Sequence, residues 1–230
     1  MKNSYLTAVK SAIAKAMPDS VRMNVVCNLP KLETWRKKHV GPNCPIFAER
    51  TELYAHLQHN VIHEQPIDYL EFGVYQGESI AYWSRANRCE QSRFFGFDTF
   101  TGLPENWQKF SGDMVKDSFD CGGAIPAIAD GRVEFHKGLF QDTLDSFLAN
   151  FTPRSQLVIN NDSDLYSSTL FVLTRCHDLL TPGSIVIFDE FSSVLNEFRA
   201  LHDYCSAYRR TYEVAGATSS YFTQVAVRFT

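Results

Sequence analysis

Four carboxylates stand at the ends of two short apolar runs. Leu157-Val158-Ile159-Asn160-Asn161 leads into Asp162-Ser163-Asp164, and Ser184-Ile185-Val186-Ile187-Phe188 leads into Asp189-Glu190. Acids this close repel one another unless a cation or hydrogen bonds offset the charge. An all-oxygen donor set suits Mg²⁺, Mn²⁺ or Ca²⁺ better than zinc. Short β-rich runs bounded by turn signals predict buried parallel strands. Ligands of open α/β sheets collect at the carboxyl ends of such strands. The pattern therefore predicts a hard-metal site at the mouth of an α/β sheet.

A second feature is the loop Gly73-Val74-Tyr75-Gln76-Gly77-Glu78, between a predicted strand at 67–72 and a predicted helix at 78–87. Two glycines there suit a tight turn where backbone closely approaches a ligand. The GxGxxG fingerprint of dinucleotide binding is missing, which disfavours a nicotinamide oxidoreductase. No GxSxG elbow supports a serine hydrolase.

The elements that must position these groups alternate along the chain. Residues 1–45 read as an N-terminal helical appendage, with a helix near 5–16 followed by irregular sequence containing Pro18, Pro30, Pro42 and Pro45. Residues 46–230 read as one domain. A helix is expected at 47–60, and strands at 67–72, 94–97, 132–136, 157–161 and 184–188. Helices are expected at 78–87, 142–150 and 167–180, and Val194, Phe198, Leu201, Cys205 and Tyr208 mark another. Tyr212-Glu213-Val214 and the alternating Val225, Val227 and Phe229 predict a closing antiparallel hairpin. Strand–helix alternation ending this way specifies an α/β, doubly wound, mostly parallel sheet with an antiparallel C-terminal edge. Residues 99–131 are too long for an ordinary connection and are expected to form a cover.

Composition narrows the partners. The 230 residues carry a net charge of −4, so no basic excess points to nucleic acid. The longest apolar runs fall far short of the ~20 residues of a membrane span. Six cysteines show no CxxC pair, and a reduced, cytoplasmic protein is expected. The first 20 residues have no secretory h-region. They carry Lys2, Lys10 and Lys15 with no acid before Asp19, and read as an exposed helix. Helices of this kind often pack against a neighbour, so homo-oligomerisation stays open.

Several blocks together resemble the macrocin O-methyltransferase family of class I S-adenosylmethionine-dependent methyltransferases. They are Glu71-Phe72-Gly73-Val74-Tyr75-Gln76-Gly77-Glu78-Ser79, Phe95-Gly96-Phe97-Asp98-Thr99-Phe100-Thr101-Gly102-Leu103-Pro104-Glu105 and Lys137-Gly138-Leu139-Phe140-Gln141-Asp142-Thr143-Leu144. Asp162-Ser163-Asp164-Leu165-Tyr166-Ser167-Ser168-Thr169 and Pro182-Gly183-Ser184-Ile185-Val186-Ile187-Phe188-Asp189-Glu190-Phe191 complete the set. The resemblance implies a seven-stranded, Rossmann-like class I fold whose seventh strand is antiparallel.

It also implies site residues. Glu71, Gly73, Tyr75, Gly77 and Ser79 would border the methionine part of the cofactor. Asp98 would accept hydrogen bonds from the ribose hydroxyls, since a carboxylate offers two acceptor oxygens to a vicinal diol. Thr99 and Phe100 would line ribose or adenine, and Gly138 and Leu139 the adenine edge. Asp162, Asp189 and Glu190 would hold a divalent cation, Mg²⁺ or Mn²⁺, that orients the substrate hydroxyl, making methyl transfer mostly a matter of positioning. Asp162 thereby becomes a catalytic residue, whereas Asp164 is expected to cap the following helix.

Two departures from the family matter. Asp189-Glu190 replaces a pair of aspartates, and Leu165 stands where related metal-dependent catechol methyltransferases carry a lysine base. His136 is the histidine closest to the predicted site and the remaining catalytic candidate. The sequence thus predicts an S-adenosylmethionine-dependent, metal-assisted O-methyltransferase acting on a small metabolite such as a sugar. The alternatives are a metal-independent methyltransferase acting on another nucleophile, and a non-catalytic binding protein that retains the fold.

Overall fold

The computed structural model describes residues 2–230, with side chains from residue 5 onward. Helix α1 (Lys2–Ala16) precedes α2 (Val21–His39), the two-residue strand β1 (Ile46–Phe47) and α3 (Arg50–His56), which runs on as a π-turn over Leu57–Val61. Then come β2 (Ile67–Phe72), α4 (Glu78–Ala86), β3 (Arg93–Asp98), β4 (Val133–Lys137), α5 (Phe140–Asn150) and β5 (Gln156–Asn161). The chain closes with α6 (Tyr166–Arg175), β6 (Ile185–Phe188), α7 (Glu197–Tyr208), β7 (Tyr212–Thr218) and β8 (Val225–Phe229).

All eight strands form one sheet in the order β1-β7-β8-β6-β5-β2-β3-β4. Strands β2 to β6 are parallel, and β8 runs antiparallel to both β6 and β7. Complete burial of β6 explains its unbroken apolar run, because helices cover both faces, whereas the equally buried β2 also carries Asp68 and Glu71. On one face Leu70, Phe72, Phe97 and Ile159 pack with Leu173, Leu201 and Tyr204 from α6 and α7. On the other, Tyr69, Phe94 and Val158 pack with Leu53, Ile80 and Trp83 from α3 and α4.

Two expectations are corrected here. The sheet has eight strands rather than seven, because Ile46 and Phe47 pair in parallel with Ala217 and Thr218 beyond the hairpin. Two residues are too few to carry a legible period. The irregular stretch expected before residue 45 contains α2, capped by the Ser20 hydroxyl, which accepts from Met23 N–H at 3.3 Å. Pro30 lies inside that helix, where proline costs about 3 kcal/mol. Burial of Val25, Leu32 and Trp35 offsets this, at ~1.5–3 kcal/mol per large apolar side chain. Trp35 also donates from Nε1 to the Tyr212 hydroxyl at 2.8 Å.

Residues 99–131 cross from β3 to β4 as an irregular hairpin. Trp107 and Met114 exchange both backbone hydrogen bonds at 2.9 Å, and Thr101 bridges Asp120. The described helices include none long and apolar enough to cross a membrane. All six cysteines carry free thiols.

Candidate active site

Sheet order and register together set the site. Phe72 pairs with both Phe97 and Asn161, Asn161 with Phe188, and Phe97 with His136. The carboxyl edge therefore presents Asp189, Asp162, Gly73, Asp98 and Gly138 in that spatial order, one from each of β6, β5, β2, β3 and β4. Neighbouring strands are about 4.8 Å apart, so the row runs from acidic to glycine-rich within a small ligand's reach. Over it lies a cavity of about 340 Å³, lined by Gly73, Tyr75, Asp98, Thr99 and Leu139 towards β3 and β4. Asp162, Asp164, Asp189 and Glu190 line it towards β5 and β6.

The glycine loop lies against the next strand end. Gly73 has φ +91°, and a Cβ there would lie 1.8 Å from the Asp162 carbonyl oxygen. Asp98 holds the loop in place: Oδ2 accepts from Val74 N–H at 2.7 Å and Tyr75 N–H at 2.8 Å, while Oδ1 accepts from Phe100 N–H at 2.7 Å. The Tyr75 and Phe119 rings meet edge to face, with centroids 5.5 Å apart, at the cavity wall.

Other expected residues support the cavity from outside it. Phe100 is fully buried and packs against Phe135. Gly138 lets the chain turn above α5, where a Cβ would meet Thr143 at 2.9 Å. Gly77 and Ser79 line a separate groove behind the loop. Glu71 is buried beneath the site, where its Oε2 accepts from the Tyr69 hydroxyl and from Asn160 Nδ2 at 3.3 Å. His136 does not reach the cavity. Strand alternation turns it onto the α5 face, stacked on Phe97 with centroids 4.7 Å apart and packed against Phe147.

Among the described residues no three His, Cys, Asp or Glu side chains stand together as a ready metal-binding cluster. Two cations already offset the acids. Arg50 Nη1 lies 3.7 Å from Asp189 Oδ1, and Lys109 Nζ lies 3.9 Å from Glu190 Oε1 and 3.6 Å from the Trp107 ring centre. The donor set is nevertheless hard oxygen, and Asp189 Oδ1 is buried without a hydrogen bond, so the residues fit an Mg²⁺-type ion in chemistry. Burial, followed by the like charge of Asp189, pushes the Asp162 carboxyl far above the usual range, and burial also raises Asp189 and Glu190. Glu197, fully buried behind the cluster, accepts from Asn161 Nδ2 at 3.3 Å and from Glu190 N–H at 2.9 Å. It thereby fixes the turn that presents the second acidic pair.

A family model for the methyltransferase domain matches residues 70–191. The chain belongs to the methyltransferase domain family. A curated relative, the 8-demethyl-8-(2,3-dimethoxy-alpha-L-rhamnosyl)-tetracenomycin-C 4'-O-methyltransferase of Streptomyces olivaceus, is 30% identical over 166 residues. The match covers 62% of this chain, and the chain spans 59% of that relative's length. Among solved structures, the O-methyltransferase NovP aligns with TM-score 0.61 at 22% identity over 78% of each chain. An O-methyltransferase from Bacillus cereus, solved with SAH, aligns with TM-score 0.53 at 16% identity over 96% of each chain. These two likenesses establish the fold.

Within this methyltransferase domain, sequence reasoning gave one polar group, Asp164, the wrong role and missed two others, Arg50 and Lys109. Asp164 does not cap α6, whose N-cap is Leu165 and lacks a side-chain cap bond. Its backbone instead takes φ +60°, and its buried side chain lines the cavity. Burial, then Glu190 and Asp189, push its carboxyl up to about 8. The positive φ had a sequence signal, since aspartate tolerates that region better than most residues. Arg50 and Lys109 had none, because their partners are distant in sequence.

Glu71 yields a pH prediction. Burial raises its carboxyl from 4.5 to about 8. A raised acid pKa means the folded state holds its proton more tightly than the unfolded chain. This contribution is therefore complete below about pH 4.5 and is lost as pH rises towards about 8. The slope belongs to all the buried acids, so the difference from Glu71→Gln isolates this one. Unfolding free energy of the wild type is expected to fall by a few kcal/mol more than that of Glu71→Gln between those pH values. Parallel pH curves in urea titrations would refute the assignment.

Proposed function

We propose that this protein transfers a methyl group from S-adenosylmethionine to a hydroxyl of a small molecule, such as a sugar. The observation that carries the reading is the single cavity with a glycine loop and Asp98 at one end and four carboxylates at the other. The printed names of the relatives support it: one methylates a rhamnosyl-bearing compound, and one was solved with SAH. Adenosine would lie over β3 and β4, with Leu139 and Thr99 beside it and the ribose at the acceptor position that Asp98 keeps beyond its three backbone hydrogen bonds. The methionine part would lie over β2 along Gly73 and Tyr75, which places the acceptor over β5 and β6. Residues 1–45 as an N-terminal helical segment and 46–230 as the catalytic domain, covered by 99–131, belong to the same proposal. So does a cytoplasmic setting, which suits the six free thiols.

Bound there, the cofactor supplies an electrophilic methyl on its sulfonium. Asp164 faces the acceptor end and takes the hydroxyl proton as the new C–O bond forms and the S–C bond breaks. Asp162, Asp189 and Glu190 would hold a divalent cation that lowers the hydroxyl's pKa. Tyr75, Phe119 and Trp107 limit water at the reacting centre. A second reading, metal-free transfer, is favoured by the Arg50 and Lys109 ion pairs, which already offset part of the acidic charge.

Calorimetry with S-adenosylhomocysteine tests the cofactor. At ~100 times its dissociation constant it should stabilise the fold by about 2.7 kcal/mol, whereas NAD should add nothing. Chelation should abolish turnover of an accepted alcohol while leaving that binding intact. Turnover that survives chelation, with no Mn²⁺ anomalous peak beside Asp162, Asp189 and Glu190, would replace the metal-assisted reading with the metal-free one.

A further inference from the structure

We infer that Arg50 is the group that recognises the carboxylate of the cofactor's methionine chain, and so distinguishes the intact cofactor from adenosine thioethers lacking that chain. The inference rests on the cofactor reading above and assigns a partner to the end of the ligand that reading leaves unheld. Asp98 lies at the end of β3, which puts the ribose there and directs the amino-acid chain across β2 towards β5 and β6. That direction is rich in carboxylates, which repel the ligand's own carboxylate. A cation is needed at the turning point.

The cavity lining offers two cations, Arg50 and Lys109. Lys109 comes from the cover, where its ammonium lies over the Trp107 ring and beside Glu190, on the acceptor side and away from the β2 loop. Arg50 is the first residue of α3 and lines both the main cavity and the groove behind the glycine loop. It therefore stands beside the β2 loop, on the route of the amino-acid chain. Its guanidinium makes a single hydrogen bond among the described residues, from Nη2 to Glu78 Oε2 at 3.2 Å, and the Glu78 side chain is 76% exposed. The contact to Asp189 is long, at 3.7 Å. The exposed pair with Glu78 is weak, and the attraction to the more buried Asp189 acts across 3.7 Å without a hydrogen bond, so it uses up no N–H donor. Most of the guanidinium's five N–H donors are thus available for a carboxylate, and their fork matches its two oxygens.

The test compares three probes by calorimetry on the full chain: S-adenosylhomocysteine, S-adenosylthiopropylamine, which keeps the amine but has no carboxylate, and methylthioadenosine, which lacks the chain. Wild type should bind S-adenosylhomocysteine clearly tighter than the other two. Arg50→Met should weaken S-adenosylhomocysteine by roughly 10- to 100-fold and leave the other two unchanged. Arg50→Lys keeps the charge without the fork and should show a smaller, equally selective loss, which guards against an unfolded methionine variant. Equal weakening of all three probes, or no weakening of any, would overturn the inference. A wild type that binds S-adenosylhomocysteine and methylthioadenosine equally would also overturn it while sparing the cofactor reading. A wild type that binds none of the three would end that reading and this inference with it.

Discussion

Gly73→Ala is expected to destabilise the fold by about 2–4 kcal/mol and to abolish S-adenosylhomocysteine binding. Two penalties combine at this position. The backbone has φ +91°, where a side chain is strained whatever space surrounds it. The added Cβ would also sit 1.8 Å from the Asp162 carbonyl oxygen and 2.7 Å from its carbon. Both neighbours are backbone atoms, so no rotamer change relieves the contact. Either the β2 loop or the β5 end must move, and those two segments carry the glycine loop and the first acidic cluster. Gly112 is the control, since it has φ +127° but nothing within 4 Å of a Cβ. Gly112→Ala should therefore report strain without collision. Urea titrations in which the two variants lose the same stability, with cofactor binding retained in both, would show that the close approach is not what the site depends on.

Asp164→Asn is expected to lower kcat by roughly 10²–10⁴-fold, the usual contribution of a positioned general base, while leaving S-adenosylhomocysteine affinity and thermal stability in place. Asparagine keeps the volume and tolerates the φ +60° backbone. It also removes a buried acid whose neighbours Glu190 and Asp189 carry like charge, so folding should not suffer. The two measurements together separate roles. A structural Asp164 would show its loss in the melting curve, and a proton acceptor shows it in turnover. A variant with wild-type kcat on the same alcohol would remove Asp164 from the mechanism and leave Asp162 as the carboxylate to test next.

Every strand except the two-residue β1, and the identity of the strand-end residues, was legible in the sequence. Val158, Ile159, Val186 and Ile187 form unbroken apolar runs because helices cover both faces of the sheet, and such runs are local. The glycine loop was legible for a similar reason: Gly73 and Gly77 both take positive φ, and residue type reports that preference directly. Sequence similarity then linked these blocks to the methyltransferase fold.

Convergence of side chains was decided only by tertiary structure. His136 and Asp98 lie on paired strands close to the same sheet edge, yet alternation sends the histidine into the Phe97 and Phe147 stack, away from the cavity. Asp164 has the composition of a helix cap, but its positive φ turns it into the cavity beside Asp162. Helix α2 survives Pro30 because Trp35 reaches Tyr212 and Phe191, contacts formed from the far end of the chain. Arg50 meets Asp189 only because the sheet order brings α3 beside the ends of β5 and β6. Periodicity and residue type constrain what a segment becomes and which of its faces is apolar. They carry no information about which distant segment will supply the charge across the cavity, since that depends on strand order and packing between elements far apart in the chain.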